Sequence, residues 1–162
     1  MTEHKTPKRR HIRELVMQSL YAFEISKDSP QHVIETILEE IKNKPEDHEF
    51  AVTLFLKTIN HQSEFDKLIK TKIDNWELYR IALIDKLLLR LALCEIMFFD
   101  DIPPKVSINE AIEISKDFST DDSGTFLNGV LDAILNEMKK NGSLTKSGRG
   151  LVNTTTQKSG KE

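Results

Sequence analysis

The chain has 162 residues, 38% of them hydrophobic and 30% charged, with six Gly and a formal net charge of -3. That length suits one domain of common size or two small helical subdomains sharing a core. Few aromatics, and glycines that gather toward the C-terminal end, argue against a β-rich fold. Cys94 is the single cysteine, which excludes an internal disulfide and fits a reducing cytoplasm.

The net charge hides an asymmetry. Residues 1–13 hold five basic side chains against one acidic, and residues 139–162 hold six against one, so the stretch between carries -12. Basic ends on an acidic body point to two kinds of partner, one anionic and one cationic. Thr2 to Arg13 is polar and basic apart from Pro7 and Ile12, so the opening offers no signal-peptide core.

Residues 1–7 read as a disordered basic lead. From Lys8 to about Ile25, Ile12, Leu15, Val16, Leu20 and Phe23 recur at spacings of three and four, which predicts an amphipathic helix. A neighbouring face carries Arg10, Arg13, Met17 and Tyr21, with Arg9 and Gln18 beside it. Arginines in the first turn oppose the helix dipole, so something other than helix stability accounts for them. Guanidinium groups with an exposed tyrosine are the chemistry of unpaired nucleic acid: the cations hold phosphates and the ring stacks on a base.

Ser29-Pro30 predicts an N-cap and a proline in the first turn of a short helix bearing Val33, Ile34, Ile37, Leu38 and Ile41. Asn43-Lys44-Pro45 breaks it, and a third helix follows from about Glu46 to Asn60. Ser63 is the expected cap of a fourth, and Asp74-Asn75 of a short turn through Trp76 and Leu78. The stretch Leu83–Phe99 has only Asp85, Lys86, Arg90 and Glu95 charged and no Gly or Pro. Apolar residues occupy almost every direction around its axis, so it reads as a central, buried helix, and its charges keep it from being a membrane span.

Asp100-Asp101-Ile-Pro-Pro-Lys105 reads as a rigid connection. Ser107-Ile-Asn-Glu110 has the pattern of a capping box opening the next helix. The last helix carries Phe126, Leu127, Val130, Leu131, Ile134, Leu135 and Met138 in one stripe. Gly129 within it suggests a close approach by the central helix. Residues 142–162, rich in Ser, Thr, Gly and Lys, read as a disordered basic tail.

No phosphate-cradling glycine loop, Gly-x-Ser-x-Gly, Cys pair or His-Glu-x-x-His occurs, and His11, His48 and His61 have no ligand spacing. The reading is therefore of a non-catalytic protein without metal or cofactor.

Three segments together resemble the NusB family of bacterial transcription antitermination factors. They are Arg9-Arg10-His-Ile-Arg13-Glu-Leu with Gln18-Ser-Leu-Tyr21, then Leu89-Arg-Leu-Ala-Leu-Cys-Glu95. The third is Asp101-Ile-Pro-Pro-Lys-Val-Ser-Ile-Asn-Glu-Ala-Ile-Glu113, resuming at Asp122-Ser-Gly-Thr-Phe-Leu-Asn-Gly-Val-Leu-Asp132. The resemblance covers about Lys8 to Met138 and marks 8–141 as a NusB-like RNA-binding domain. It implies an all-α fold of about seven helices in two packed bundles. It further implies a cytoplasmic protein that binds the boxA element of nascent ribosomal RNA transcripts together with NusE, a small-subunit ribosomal protein. The pair then joins RNA polymerase with other Nus factors.

Carried onto this chain, the resemblance assigns RNA binding to Lys8, Arg9, Arg10, Arg13, Gln18, Tyr21, Asp122 and Phe126, and contact with the basic protein partner to Asp85. Four phosphate contacts predict a slope of log K against log salt of about -3. Gly124-Thr125 stands where the family pattern has His-Lys, and His11 interrupts the arginine cluster. A competing reading is a non-catalytic interaction module of the kind attached to ribosomal RNA methyltransferases.

Overall fold

The periodicities of the sequence are realised as helices throughout the computed structural model, which describes residues 8–73, 78–144 and 146. Among these residues there are seven α-helices and no strand. They fall into two compact units divided between Asn60 and His61. Residues 1–7, the Asp74-Asn75 cap with Trp76, and most of the basic tail lie outside the described residues.

The first unit comprises α1 (Lys8–Ser26), α2 (Pro30–Ile37), a 3₁₀ turn (Leu38–Ile41) and α3 (Pro45–Asn60). Helix α1 packs against both α2 and α3, with Ile12, Leu15, Val16 and Leu20 buried alongside Val33, Ile34, Leu54 and Phe55. The Phe23 ring meets Phe55 edge-on at 6.2 Å. Lys27 closes α1 at φ 56°, a left-handed conformation that side chains other than glycine adopt at a cost. The Ser29 cap forms as the sequence predicts: its hydroxyl accepts from the His32 amide at 3.2 Å, with Pro30 in the first turn.

The second unit comprises α4 (Gln62–Lys70), a 3₁₀ turn (Leu78–Arg80), α5 (Leu83–Phe98), α6 (Pro104–Phe118) and α7 (Ser123–Lys140). Helix α5 is its centre and packs against α4, α6 and α7; Leu87 through Ile96 are all buried. Three of its four charged residues are buried too, each satisfied differently. Arg90 makes a two-pronged pair with Asp66 of α4, at 2.8 and 2.9 Å. Glu95 accepts from the Ser107 hydroxyl of α6 at 3.0 Å, and Asp85 accepts from two serines described below. Bonded polar groups of this kind make a charged core helix tolerable.

Several local expectations give way to tertiary demands. Helix α6 begins at Pro104, in the first turn where a proline loses no hydrogen bond. Ser107 therefore sits within the helix and spends its hydroxyl on Glu95, so the capping box is not formed. Helix α4 starts at Gln62 with His61 at its cap position, which leaves Ser63 inside and exposed. Gly129 is exposed, and a Cβ there would meet nothing within 4 Å. The close approach to α7 is instead at Gly124, where a Cβ would stand 3.3 Å from Ile112 of α6.

Backbone hydrogen bonds close the end of α7. Gly142 adopts φ 73°, and the Ser143 amide bonds back to the Met138 carbonyl at 3.0 Å, the Schellman arrangement. Lys146 then donates to the carbonyls of Glu95 and Phe99, at 3.0 and 2.5 Å, adding a second hydrogen bond to two carbonyls at the end of α5 that already accept the Phe99 and Ile102 amides.

Candidate nucleic-acid interface

The first two turns of α1 carry the basic cluster, and α3 supplies what holds it. The Lys8 ammonium lies 3.1 Å from the buried Asp47 carboxylate while its own side chain stays 70% exposed. The Arg9 guanidinium carbon lies 4.0 Å above the Phe50 ring centre, and that of Arg13 lies 5.7 Å from the same ring. One buried phenyl ring thus orients two arginines, a cation–π arrangement that restricts long side chains without neutralising them.

The cluster is not uniformly exposed. Lys8, Arg9 and Gln18 are exposed and Arg10 is half-buried. Arg13 is only 3% exposed and Met17 1%, so that part of the predicted basic face turns into the core. The reason is their angular position: Arg13 and Met17 border the stripe of Leu20 and Val16 that packs inward. Tyr21, by contrast, is 43% exposed. It lies eleven residues after Arg10, three full turns further along nearly the same face and about 16 Å away. His11 pairs with Glu40 at 2.9 Å and Glu14 at 3.7 Å, which ties α1 to the 3₁₀ turn.

The remaining predicted residues belong to the second unit. Asp122 is exposed at the start of α7, and its side chain makes no capping bond. Phe126, one turn on, is half-buried and lines a cleft of about 280 Å³ together with Asp122, Arg80 and Ile81. Asp85, expected to face a basic partner, is only 8% exposed. Its two oxygens accept from Ser119 at 2.7 Å and from Ser123 at 3.0 Å, and Ser123 in turn accepts from the Thr120 amide at 3.3 Å. The carboxylate therefore fastens α5 to the α6–α7 junction. A spacing argument could place Asp85 on the helix but not the two serines, which come from 34 and 38 residues further on.

Sequence reasoning passed over two residues of this region, Tyr79 and Arg80, because they sit in a short turn with no periodicity to mark them. Among the described residues no cluster of three His, Cys, Asp or Glu could hold a metal ion, and no helix is long and apolar enough to cross a membrane.

Comparison with known proteins agrees with this architecture. The profile of the NusB family matches residues 10–136. The chain is 48% identical to the transcription antitermination protein NusB of Chloroherpeton thalassium over 93% of its own length and 72% of that protein. It is 44% identical to the Salinibacter ruber protein of the same name, over 91% and 93% respectively. Its fold matches that of T. maritima NusB with a TM-score of 0.75 at 37% identity, covering 82% of this chain and 93% of that one. It also matches a chain in a crystal structure of the antitermination factors NusB and NusE in complex with double-stranded RNA. There the TM-score is 0.71 at 24% identity, over 80% and 96% of the two chains, a likeness of fold alone. With its helical order, its arginine-bearing first helix and relatives of this identity across most of its length, the chain belongs to the NusB family.

Proposed function

We propose that this protein is a non-catalytic transcription antitermination factor. In this reading it binds boxA-type single-stranded RNA of nascent ribosomal RNA transcripts together with NusE and joins RNA polymerase with other Nus factors in the cytoplasm. The observation that carries the reading is the face of α1: cations at its start, held by Phe50 and Asp47, and the exposed Tyr21 three turns on. Phosphates of an extended strand would meet Lys8, Arg9 and Arg10, while Tyr21 offers a ring to a base further along. Gln18 can bond a base edge or a sugar hydroxyl from the same side. The name borne by the relatives supports the same role.

A docking module of the methyltransferase-attached kind has less support, since the match spans 93% of the Salinibacter ruber protein and leaves that relative no room for an enzyme domain. The test is fluorescence anisotropy of a short boxA-type RNA, with and without NusE, on the unchanged chain and on Arg9→Ala/Arg10→Ala. Binding that strengthens with NusE and weakens at least tenfold in the double variant supports the proposal. Binding indifferent to the arginines would reject it.

A further inference from the structure

Helix α1 has no acidic residue in its first turn, so the positive end of its dipole meets three successive cations, Lys8, Arg9 and Arg10. The acid that answers them comes from α3. Asp47 lies in the first turn of that helix, three residues before Phe50 on the same face, and is only 5% exposed. The two residues act differently on the cations beside them. The Phe50 ring, 4.0 Å from the Arg9 guanidinium carbon, orients a charge and leaves it whole. The Asp47 carboxylate, 3.1 Å from the Lys8 ammonium, sets a full opposite charge against it. Its Oδ2 atom is closed to solvent and makes no directed hydrogen bond among the described residues, so the tie to Lys8 is one of charge.

We propose that Asp47 is a built-in counter-ion that limits how tightly the start of α1 holds RNA, a proposal that rests on the RNA-binding function above. The Lys8 side chain is 70% exposed, and its ammonium has further N–H groups to offer a phosphate. A phosphate oxygen bonded to it at about 2.8 Å lies within about 6 Å of the Asp47 carboxylate. Two like charges at that separation repel by the equivalent of about threefold in affinity in water, and by more where solvent is excluded. An exposed acid could swing away from the strand, but the Asp47 side chain is 7% exposed and fixed against α3. As a carboxylate it has no proton to donate, so toward a phosphate it can only subtract from the attraction. In the free chain the same charge offsets the dipole of α1 and the crowding of its cations. Asp47 thus gives a preformed basic opening at reduced affinity.

The test measures binding of a fluorescein-labelled boxA-type single-stranded RNA to the full chain with NusE present, at low and at physiological salt. The proteins compared are the unchanged chain, Asp47→Asn, Asp47→Ser, Glu46→Gln and, as reference, Arg10→Ala. Asp47→Asn keeps the shape and removes the charge, so it binds about 3- to 10-fold tighter at low salt, and the gain shrinks as salt rises. Asp47→Ser removes the same charge with a smaller group and tightens binding too, which keeps the test decisive if the amide does not pack. Glu46→Gln removes a charge from the exposed neighbouring position and changes affinity by less than about twofold. Thermal melts verify that each variant folds. A structural role alone would lower the melting temperature without tightening RNA binding. If the folded Asp47 variants bind no tighter than the unchanged chain while Arg10→Ala weakens, the counter-ion is rejected and the RNA-binding function stands. An equal gain in Glu46→Gln would make net charge the cause and overturn the proposal. If the unchanged chain itself shows no salt-dependent RNA binding, both are rejected.

Discussion

Gly129 occupies an exposed position in α7 with nothing within 4 Å of where a Cβ would stand. Glycine there gives up backbone entropy on folding without serving a close contact. Gly129→Ala is expected to stabilise the fold by about 0.5–1 kcal/mol, measured by urea unfolding. Arg13 and Tyr21 divide stability from binding in the same way, one residue at a time. Arg13 is buried beside Phe50, so Arg13→Ala should cost about 1–3 kcal/mol of stability through lost packing. Tyr21 is exposed, so Tyr21→Ala should leave the melting temperature unchanged and weaken RNA binding by about 1–3 kcal/mol. Thermal melts alongside anisotropy separate the two effects.

At the scale of an element, α5 is fastened to its neighbours through charges rather than through apolar contact alone. Asp85→Ala removes the acceptor shared by Ser119 and Ser123 and should destabilise the second unit by about 1–3 kcal/mol. Asp85→Asn retains an acceptor and should cost less. Because the carboxylate is buried, affinity for NusE measured by calorimetry should be the same for Asp85→Asn and the unchanged chain. The far end of α5 is closed by Lys146, whose pKa burial lowers from 10.5, against the opposing pull of Asp100, Glu95 and Asp101. Docking therefore favours the neutral amine. Between the lowered value and 10.5 the undocked segment binds more protons, so docking gains stability as pH rises through that window. An NMR titration of the lysine ε-methylene groups should show Lys146 deprotonating below the ordinary lysine value of 10.5.

Across the whole molecule, the basic opening and tail set against an acidic middle govern association more than folding. Of the four cations expected to neutralise phosphates, Arg13 is buried. Three contacts, from Lys8, Arg9 and Arg10, predict a slope of log K against log salt of about -2 for α1 acting alone. Anisotropy between low and physiological salt measures it.

How much was legible in the chain follows from the range of the forces involved. Helix identity, the Ser29 cap, the burial of Leu87 through Ile96 and the all-α architecture depend on neighbours three or four residues away, and periodicity reports them. The arginine-rich first helix was legible for the same reason. Other features depend on groups brought together from far along the chain. Ser107 forgoes its capping box because Glu95 needs a donor, and Asp85 is buried by serines of the α6–α7 junction. Arg13 lies against Phe50 of α3, and Arg80 lines a cleft with Phe126 of α7. The amino-acid sequence by itself determined which helices form and what chemistry the chain carries. Only the tertiary structure decided which of those charges meet solvent, because a buried polar group must find its partner wherever the fold supplies one.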